Sequence, residues 1–163
     1  MKAVLTGSLL LCCILISAAL VAQDQAIATK PAEGKMINIP GLPPCIKGQP
    51  MRGDPTKGAF VIYGKATAGC DIPTHWHTST EDVTWLSGSA QLKMKGSADQ
   101  TLSSGTFVHL PSKHEHAVRC STACAMYINS DGAFDIHYVD ASGKEIPVEQ
   151  ALGGAKKSAA TKK

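Results

Sequence analysis

Two histidines separated by a single residue, His75 and His77, constrain most strongly what this chain can fold into. On a strand, side chains two apart leave the same face; on a helix, two ligands of one ion stand four apart. The segment Gly69-Cys-Asp-Ile-Pro-Thr-His75-Trp-His77-Thr-Ser-Thr-Glu81, closing at Gly88, adds a carboxylate, and His116 follows as a third imidazole. Three neutral nitrogens and one anionic oxygen form the donor set that a divalent first-row metal of borderline softness prefers. The spacing therefore predicts a metal site built on a sheet, with His75, His77, Glu81 and His116 as ligands.

Short β-rich runs separated by Gly, Pro, Ser and Asp, with almost no helical periodicity, predict a sandwich or barrel. Residues 59–67, 81–86, 91–95, 106–110, 116–120, 124–128 and 133–139 read as strands, with an edge strand near 36–39. Ser87-Gly88-Ser89 reads as a hairpin turn between 81–86 and 91–95, and 116–120 with 124–128 as a second hairpin. The one helical candidate is 148–152. About eight strands in roughly 100 residues agree with a two-sheet jelly roll. Period-two counting from Glu81 puts Val83 and Trp85 on the ligand face, and counting from His116 adds Val118 while turning Arg119 outward. The ligands thus share their faces with apolar groups, which predicts a dry pocket with Trp85 as a wall.

The remaining histidines read differently. His109 is expected on a strand or at the surface, and His114 exposed. His137 is a candidate pocket group of undetermined face.

Gly69-x5-His75-x-His77-x3-Glu81-x6-Gly88 resembles the first signature of the cupin superfamily without gap or mismatch. The second signature, G-x5-P-x-G-x2-H-x3-N, is matched in part by Gly105, Pro111, His116 and their spacing, with Lys113 in place of its glycine and Cys120 in place of its asparagine. The resemblance covers about residues 58–142. It implies an all-β, double-stranded β-helix (jelly-roll) cupin barrel. More narrowly, Gly53-Asp54-Pro55 through Phe60-Val61, His75-Trp76-His77, and Phe134-Asp-Ile-His-Tyr138-Val139 are similar to the small exported single-domain cupins of bacteria. The resemblance also implies pairing into a homodimer.

Residues 1–22 read as a secretory signal: basic Lys2, an apolar run Leu9 to Ile16, then small residues ending at Ala22. The expected organisation continues with a flexible leader over 23–35, the cupin domain over 36–150 and a disordered basic tail over 151–163. The mature protein is expected to be periplasmic or secreted, with no membrane attachment after cleavage. Losing Lys2 from 16 basic residues leaves 15 against 13 acidic ones, and setting aside Lys156, Lys157, Lys162 and Lys163 of the tail leaves 11 against 13. Positive charge confined to such a tail, without a patterned face or interleaved aromatics, argues against a nucleic-acid partner. Four cysteines survive cleavage, and an even count in an exported chain leans toward disulfides with three possible pairings. Cys120 and Cys124 bracket Ser-Thr-Ala in an apparent tight turn, where they are placed to face each other. Cys45 with Cys70 would then tie the N-terminal arm to the ligand loop. The rival reading makes a thiolate a metal ligand.

The expected cofactor is one divalent transition metal, Fe, Mn, Ni, Cu or Zn. Cupins resembling this chain use such metals in dioxygenation, oxalate chemistry and isomerisation. Three histidines and one carboxylate leave two positions of an octahedral metal for a small-molecule ligand or substrate. The favoured expectation is a quercetinase-like or other dioxygenase-like oxidoreductase, with Glu81 as ligand and proton acceptor. Oxalate fits less well, since only Arg52 and Arg119 exist to clamp a dicarboxylate. The alternative is a non-catalytic metal- or small-ligand-binding protein. Tyr63, Tyr127 and His137 discriminate: if all three face outward, binding gains on catalysis.

Overall fold

Alternating burial along the strands sets which side faces the core. Phe60, Ile62 and Ala66 are buried while Lys65 is exposed; Ala90 and Leu92 are buried between exposed Gln91 and Lys93. The computed structural model describes residues 26–31 and 35–153. In chain order the strands are β1 (Ile37–Asn38), β2 (Ile46–Gly53), β3 (Phe60–Ala66), β4 (Asp71–Trp76), β5 (Glu81–Ser87), β6 (Ala90–Met94), β7 (Gln100–Leu102), β8 (Phe107–Leu110), β9 (His116–Cys120), β10 (Cys124–Ser130) and β11 (His137–Tyr138). They form two antiparallel sheets, ordered β1-β2-β3-β10-β5-β8 and β11-β4-β9-β6-β7. The two apolar faces close on each other in a jelly roll, with Tyr138, Leu92 and Leu102 almost wholly enclosed. A helix spans residues 148–153 and buries Ala151.

The two expected hairpins are not hairpins. β5 lies in one sheet and β6 in the other, and β9 and β10 are likewise divided. Each connection is an arc that carries the chain across the core, and the two arcs stack. Ser121 N and Thr122 N both donate to Ser89 O (2.7 and 3.2 Å), and Ser89 N donates to Thr122 Oγ1 (2.9 Å). Gly88 makes this approach feasible. Its φ is +78°, and a Cβ there would stand 2.0 Å from Ala123 O. Over so short a span, a Gly-containing turn satisfies the same local pattern in an arc as in a hairpin.

β2 and β7 were not among the runs expected, and β4, implied by the spacing of His75 and His77, carries His75 but ends at Trp76, one residue before His77. β2 contains Pro50 and β4 contains Pro73, each at a shift in strand register. Proline cannot donate to a ladder and is tolerated at such irregularities. Conversely, the expected strand 133–139 shrinks to His137–Tyr138, and residues 133–136 run irregularly toward the site.

Cys45 and Cys70 form a disulfide, joining the N-terminal arm to the segment that leads into β4. The expected Cys120–Cys124 bridge is absent: both are free, buried thiols. Their strands belong to different sheets, and the Cys124 thiol donates instead to Thr122 O and Ser89 O in the stacked arcs (3.2 and 3.4 Å). Burial, reinforced by the neighbouring Cys124, pushes the Cys120 thiol well above the usual range.

The expected signal segment, residues 1–22, lies outside the described residues, as do 23–25 and 32–34 of the leader and 154–163 of the tail. Residues 151–153, assigned to the tail, complete the helix. No described helix is long and apolar enough to cross a membrane.

Candidate metal centre

His75 and His116 are direct partners across the β4–β9 ladder. This register brings their rings to 4.2 Å between centroids, with His77 at 5.0 Å from His75 and 5.5 Å from His116. All three are buried, and each offers one ring nitrogen to a group in which those nitrogens lie within 4.8 Å of one another. Glu81, the first residue of β5, stands beside this trio from the facing sheet. Its Oε2 lies 3.6 Å from His77 Nε2 and 3.5 Å from His116 Nε2.

The backbone fixes which nitrogen each imidazole presents. His75 Nδ1 is 2.7 Å from Pro73 O, His116 Nδ1 is 2.9 Å from His114 O, and His77 Nδ1 bonds Asp135 O. A carbonyl only accepts, so each Nδ1 carries a proton and donates it, and Nε2 is the nitrogen left to face the site. This is the tautomer and the outer support that metal-ligating histidines show. The register shift at Pro73 places its carbonyl under the ring of His75.

Electrostatics agree. Burial, with the nearby His116 and His77, holds His75 well below the ordinary imidazole value, so it is neutral. Burial opposes ionisation of Glu81, but the contact with His116 and the field of the imidazoles outweigh it and lower the carboxyl to about 2. Glu81 Oε2 thus stands 3.5–3.6 Å from the Nε2 atoms of His116 and His77, an arrangement that a proton on an imidazole or a cation between them stabilises. Ligands about 2.1 Å from one ion at 90–110° would stand roughly 3.0–3.4 Å apart. The three histidines form a group of the chemistry that suits a divalent transition metal, and Glu81 stands beside them at separations somewhat longer than one shared ion would set.

The trio sits in the wall of an interior cavity of about 70 Å³, otherwise bounded mainly by apolar side chains such as Phe60, Ile62, Val83, Trp85, Leu92 and Met126. Val83, Trp85 and Val118 line it as period-two counting required, and Arg119 points outward to Asp71 at 3.5 Å.

The other candidates lie outside the cavity. His109 is exposed on β8 and pairs with Asp82 at 2.6 Å. His114 is half-buried and contributes its carbonyl. His137 stacks on Trp76 at 3.9 Å, flanked by Asp135 and Glu145, each 3.3 Å away. Tyr63 and Tyr127 pack on each other at 5.6 Å, and neither lines the cavity. Three contributors were not singled out from the sequence. Phe134 packs on His77 and Phe60 and lines the cavity. Asp135 supports His77 through its carbonyl while its carboxylate accepts from Thr78 N at 2.8 Å. Tyr138 lies 5.7 Å from the His75 ring and donates its hydroxyl to Gly41 O. Phe134 and Tyr138 fall within the motif Phe134-Asp-Ile-His-Tyr138-Val139, but reading that motif as one strand hid their separate roles.

No family model matches the chain, and no curated protein matches it. Solved structures do. A RmlC-like cupin from Shewanella frigidimarina NCIMB 400 superposes with a TM-score of 0.57 at 14% identity, over 68% of this chain and 95% of that one. KdgF from Halomonas sp. gives 0.56 at 14% identity, over 68% and 96%. The DMSP lyase DddQ from Ruegeria pomeroyi DSS-3 gives 0.58 at 20% identity, over 69% and 64%. The chain has the cupin fold.

Within this fold, the signature positions keep left-handed turns. Gly69, Gly88 and Gly105 all have left-handed φ (+78°, +78° and +88°). Lys113, standing where the second signature has glycine, adopts φ +62° and is the one described non-glycine residue with positive φ. The turn is retained despite the substitution. Lys113 N donates to His77 O at 2.8 Å, and its ammonium lies 5.9 Å from the Trp76 ring.

Proposed function

We propose that this protein is an exported metal-dependent cupin oxidoreductase that acts on a small, largely apolar molecule. His75, His77, His116 and Glu81 would hold one divalent transition metal. The single observation that carries the reading is the convergence of three imidazole Nε2 atoms, each ring oriented by a backbone carbonyl, with one carboxylate at a largely apolar cavity. A bound metal of this class supplies Lewis acidity and, where redox-active, electron transfer. The chain's own residues would do the rest. The apolar walls exclude water, Phe134 and Trp85 confine the ligand, and Glu81 is the one carboxylate among the described residues that lines the cavity beside the metal.

A second reading, metal or ligand binding without turnover, draws support from Tyr63, Tyr127 and His137, none of which reaches the cavity. The two readings separate by oxygen uptake. Protein reconstituted in turn with Fe, Mn, Ni, Cu and Zn would be screened with small enediols, diketones and catechol. Metal-dependent uptake abolished by Glu81→Gln supports the oxidoreductase; tight binding of these compounds with no uptake for any metal favours the binding protein.

Export accords with the Cys45–Cys70 disulfide, since such bonds persist in oxidising compartments. Homodimer formation accords with Phe107, 61% exposed on the edge strand β8, where unpaired backbone invites a second copy.

A further inference from the structure

The two ends of the barrel are closed by different means. The end reached by Ser87 and Cys120 is shut by the stacked arcs, where Ser121 N and Thr122 N both donate to Ser89 O. At the other end Phe60, Ser130 and Glu81 lie side by side across β3, β10 and β5, and the chain leaves β10 into residues 131–136, which join no strand. This segment is tied down at single points. Asp131 Oδ1 accepts from Thr80 N (3.0 Å), Asp135 Oδ1 from Thr78 N (2.8 Å), and Phe134 N donates to Pro55 O (2.7 Å), beside the bond from His77 to Asp135 O. Asp135 Oδ2 also lies 3.3 Å from His137 Nε2. Phe134 is half-buried and stands between two spaces. Phe60, His77, Glu81 and Phe134 line the interior cavity, and the same four line a small crevice completed by Ser79, Ser130, Ala133 and Asp135. Ala133 is exposed, so the crevice lies between solvent and the cavity with Phe134 as the shared wall.

We propose that residues 131–136 form the door of the metal site, with Phe134 as the residue that must move aside and Asp131 and Asp135 as latches on the 78–80 loop, and that small molecules enter by this route. This rests on the reading of the cavity as the ligand space of the metal site. Elsewhere the cavity wall is mostly strand, where an opening must break consecutive ladder bonds. A segment without ladder partners, held by a few bonds near the surface, opens at far lower cost. Gly132 lets the door shut closely, since a Cβ there would stand 2.1 Å from Ser79 Oγ. The rim is already the wettest part of the site, for the Glu81 side chain keeps 14% exposure while that of His116 keeps 4%.

The door is locked with the double variant Ser79→Cys, Gly132→Cys. A Cβ at Gly132 would lie 3.1 Å from Ser79 Cβ, near the roughly 3.5–4.5 Å that a disulfide spans. In a Trp76→Phe background Trp85 is the only indole, and quenching of its fluorescence by acrylamide reads entry to the cavity that it lines. In metal-free protein, oxidising the engineered pair is expected to slow quenching about fivefold or more, and reduction to restore it. The parent given the same reductant controls for Cys45–Cys70. Phe134→Ala and Asp131→Ala need no crosslink, and each is expected to speed quenching about threefold. Loss of zinc from loaded protein to dipicolinate is expected to change in the same directions. Equal quenching in the oxidised and reduced double variant, or no rise in either single variant, would overturn the proposal. Quenching that responds to the lock in a protein that takes up no metal would sink the metal-centre reading and leave the door standing. One zinc per chain with no response to the lock would do the reverse.

Discussion

His75 and His116 face each other across β4 and β9, and each anchors its Nδ1 on the carbonyl two residues before it, Pro73 and His114. The ladder and the two local bonds together define where both Nε2 atoms point. The site is thus organised by backbone before any metal arrives, and a metal-free form should remain folded with its ligands in place.

The pH response of that metal-free form follows from the depressed histidine and carboxylate. His75 is held below its ordinary 6.5, so the unfolded chain binds the proton more readily than the folded one. Its contribution is fully present above pH 6.5 and is lost as pH falls below it. Glu81, lowered from 4.5 to about 2, adds a further loss below about pH 4.5. Denaturant titrations after chelator treatment should show stability declining from pH 7 to pH 5, with a shallower decline in His75→Gln. Equal slopes would remove His75 as the cause.

Lys113 holds a left-handed conformation that costs an L-residue about 1–2 kcal/mol. Lys113→Gly should therefore stabilise the protein by about 1 kcal/mol, after loss of the weak contact with Trp76. Thermal or urea denaturation reads this directly; a destabilised variant would show that the lysine side chain matters more than its backbone strain.

Gly88 and Gly69 share φ +78° but differ in surroundings: nothing lies within 4 Å of a Cβ at Gly69, whereas Ala123 O would be 2.0 Å from one at Gly88. Gly69→Ala should cost about 1 kcal/mol, the backbone term alone. Gly88→Ala should cost about 3 kcal/mol or more, because the stacked arcs must part. Similar losses in the two variants would argue against the arc packing.

The Cys45–Cys70 bond closes a separation of 25 residues, for which loop-closure entropy gives about 3 kcal/mol of stability. Cys45→Ser with Cys70→Ser should lower stability by about that amount. Alkylation under denaturing, non-reducing conditions should label Cys120 and Cys124 and spare the other pair. Labelling of none would mean that the second pair is bridged as well.

Much of this architecture was legible before folding. The two-residue spacing of His75 and His77 already required a strand, and counting from Glu81 and His116 placed Val83, Trp85 and Val118 on the cavity face because pleating has a period of two. Strand β9 coincided with the run 116–120. Sheet membership was not legible, since Gly88 suits an arc as well as a hairpin and only the contact with Ala123 decides. β2 and the start of β4 were obscured by Pro50 and Pro73, which interrupt the alternation at the points where the ladders slip register. The carbonyls of Pro73, His114 and Asp135 left no trace in the sequence, because every residue has one and only tertiary geometry selects three.

Elemental analysis by mass spectrometry is the direct test of whether His75, His77, His116 and Glu81 bind one transition-metal ion. Protein exported by a suitable host, and the same protein refilled with Fe, Mn, Ni, Cu or Zn salts, would be measured beside the double variant His75→Ala, His77→Ala. Close to one metal ion per chain is expected in the parent and none in the folded variant. A parent protein that retains no metal after refilling, or a variant that retains as much as the parent, would contradict it.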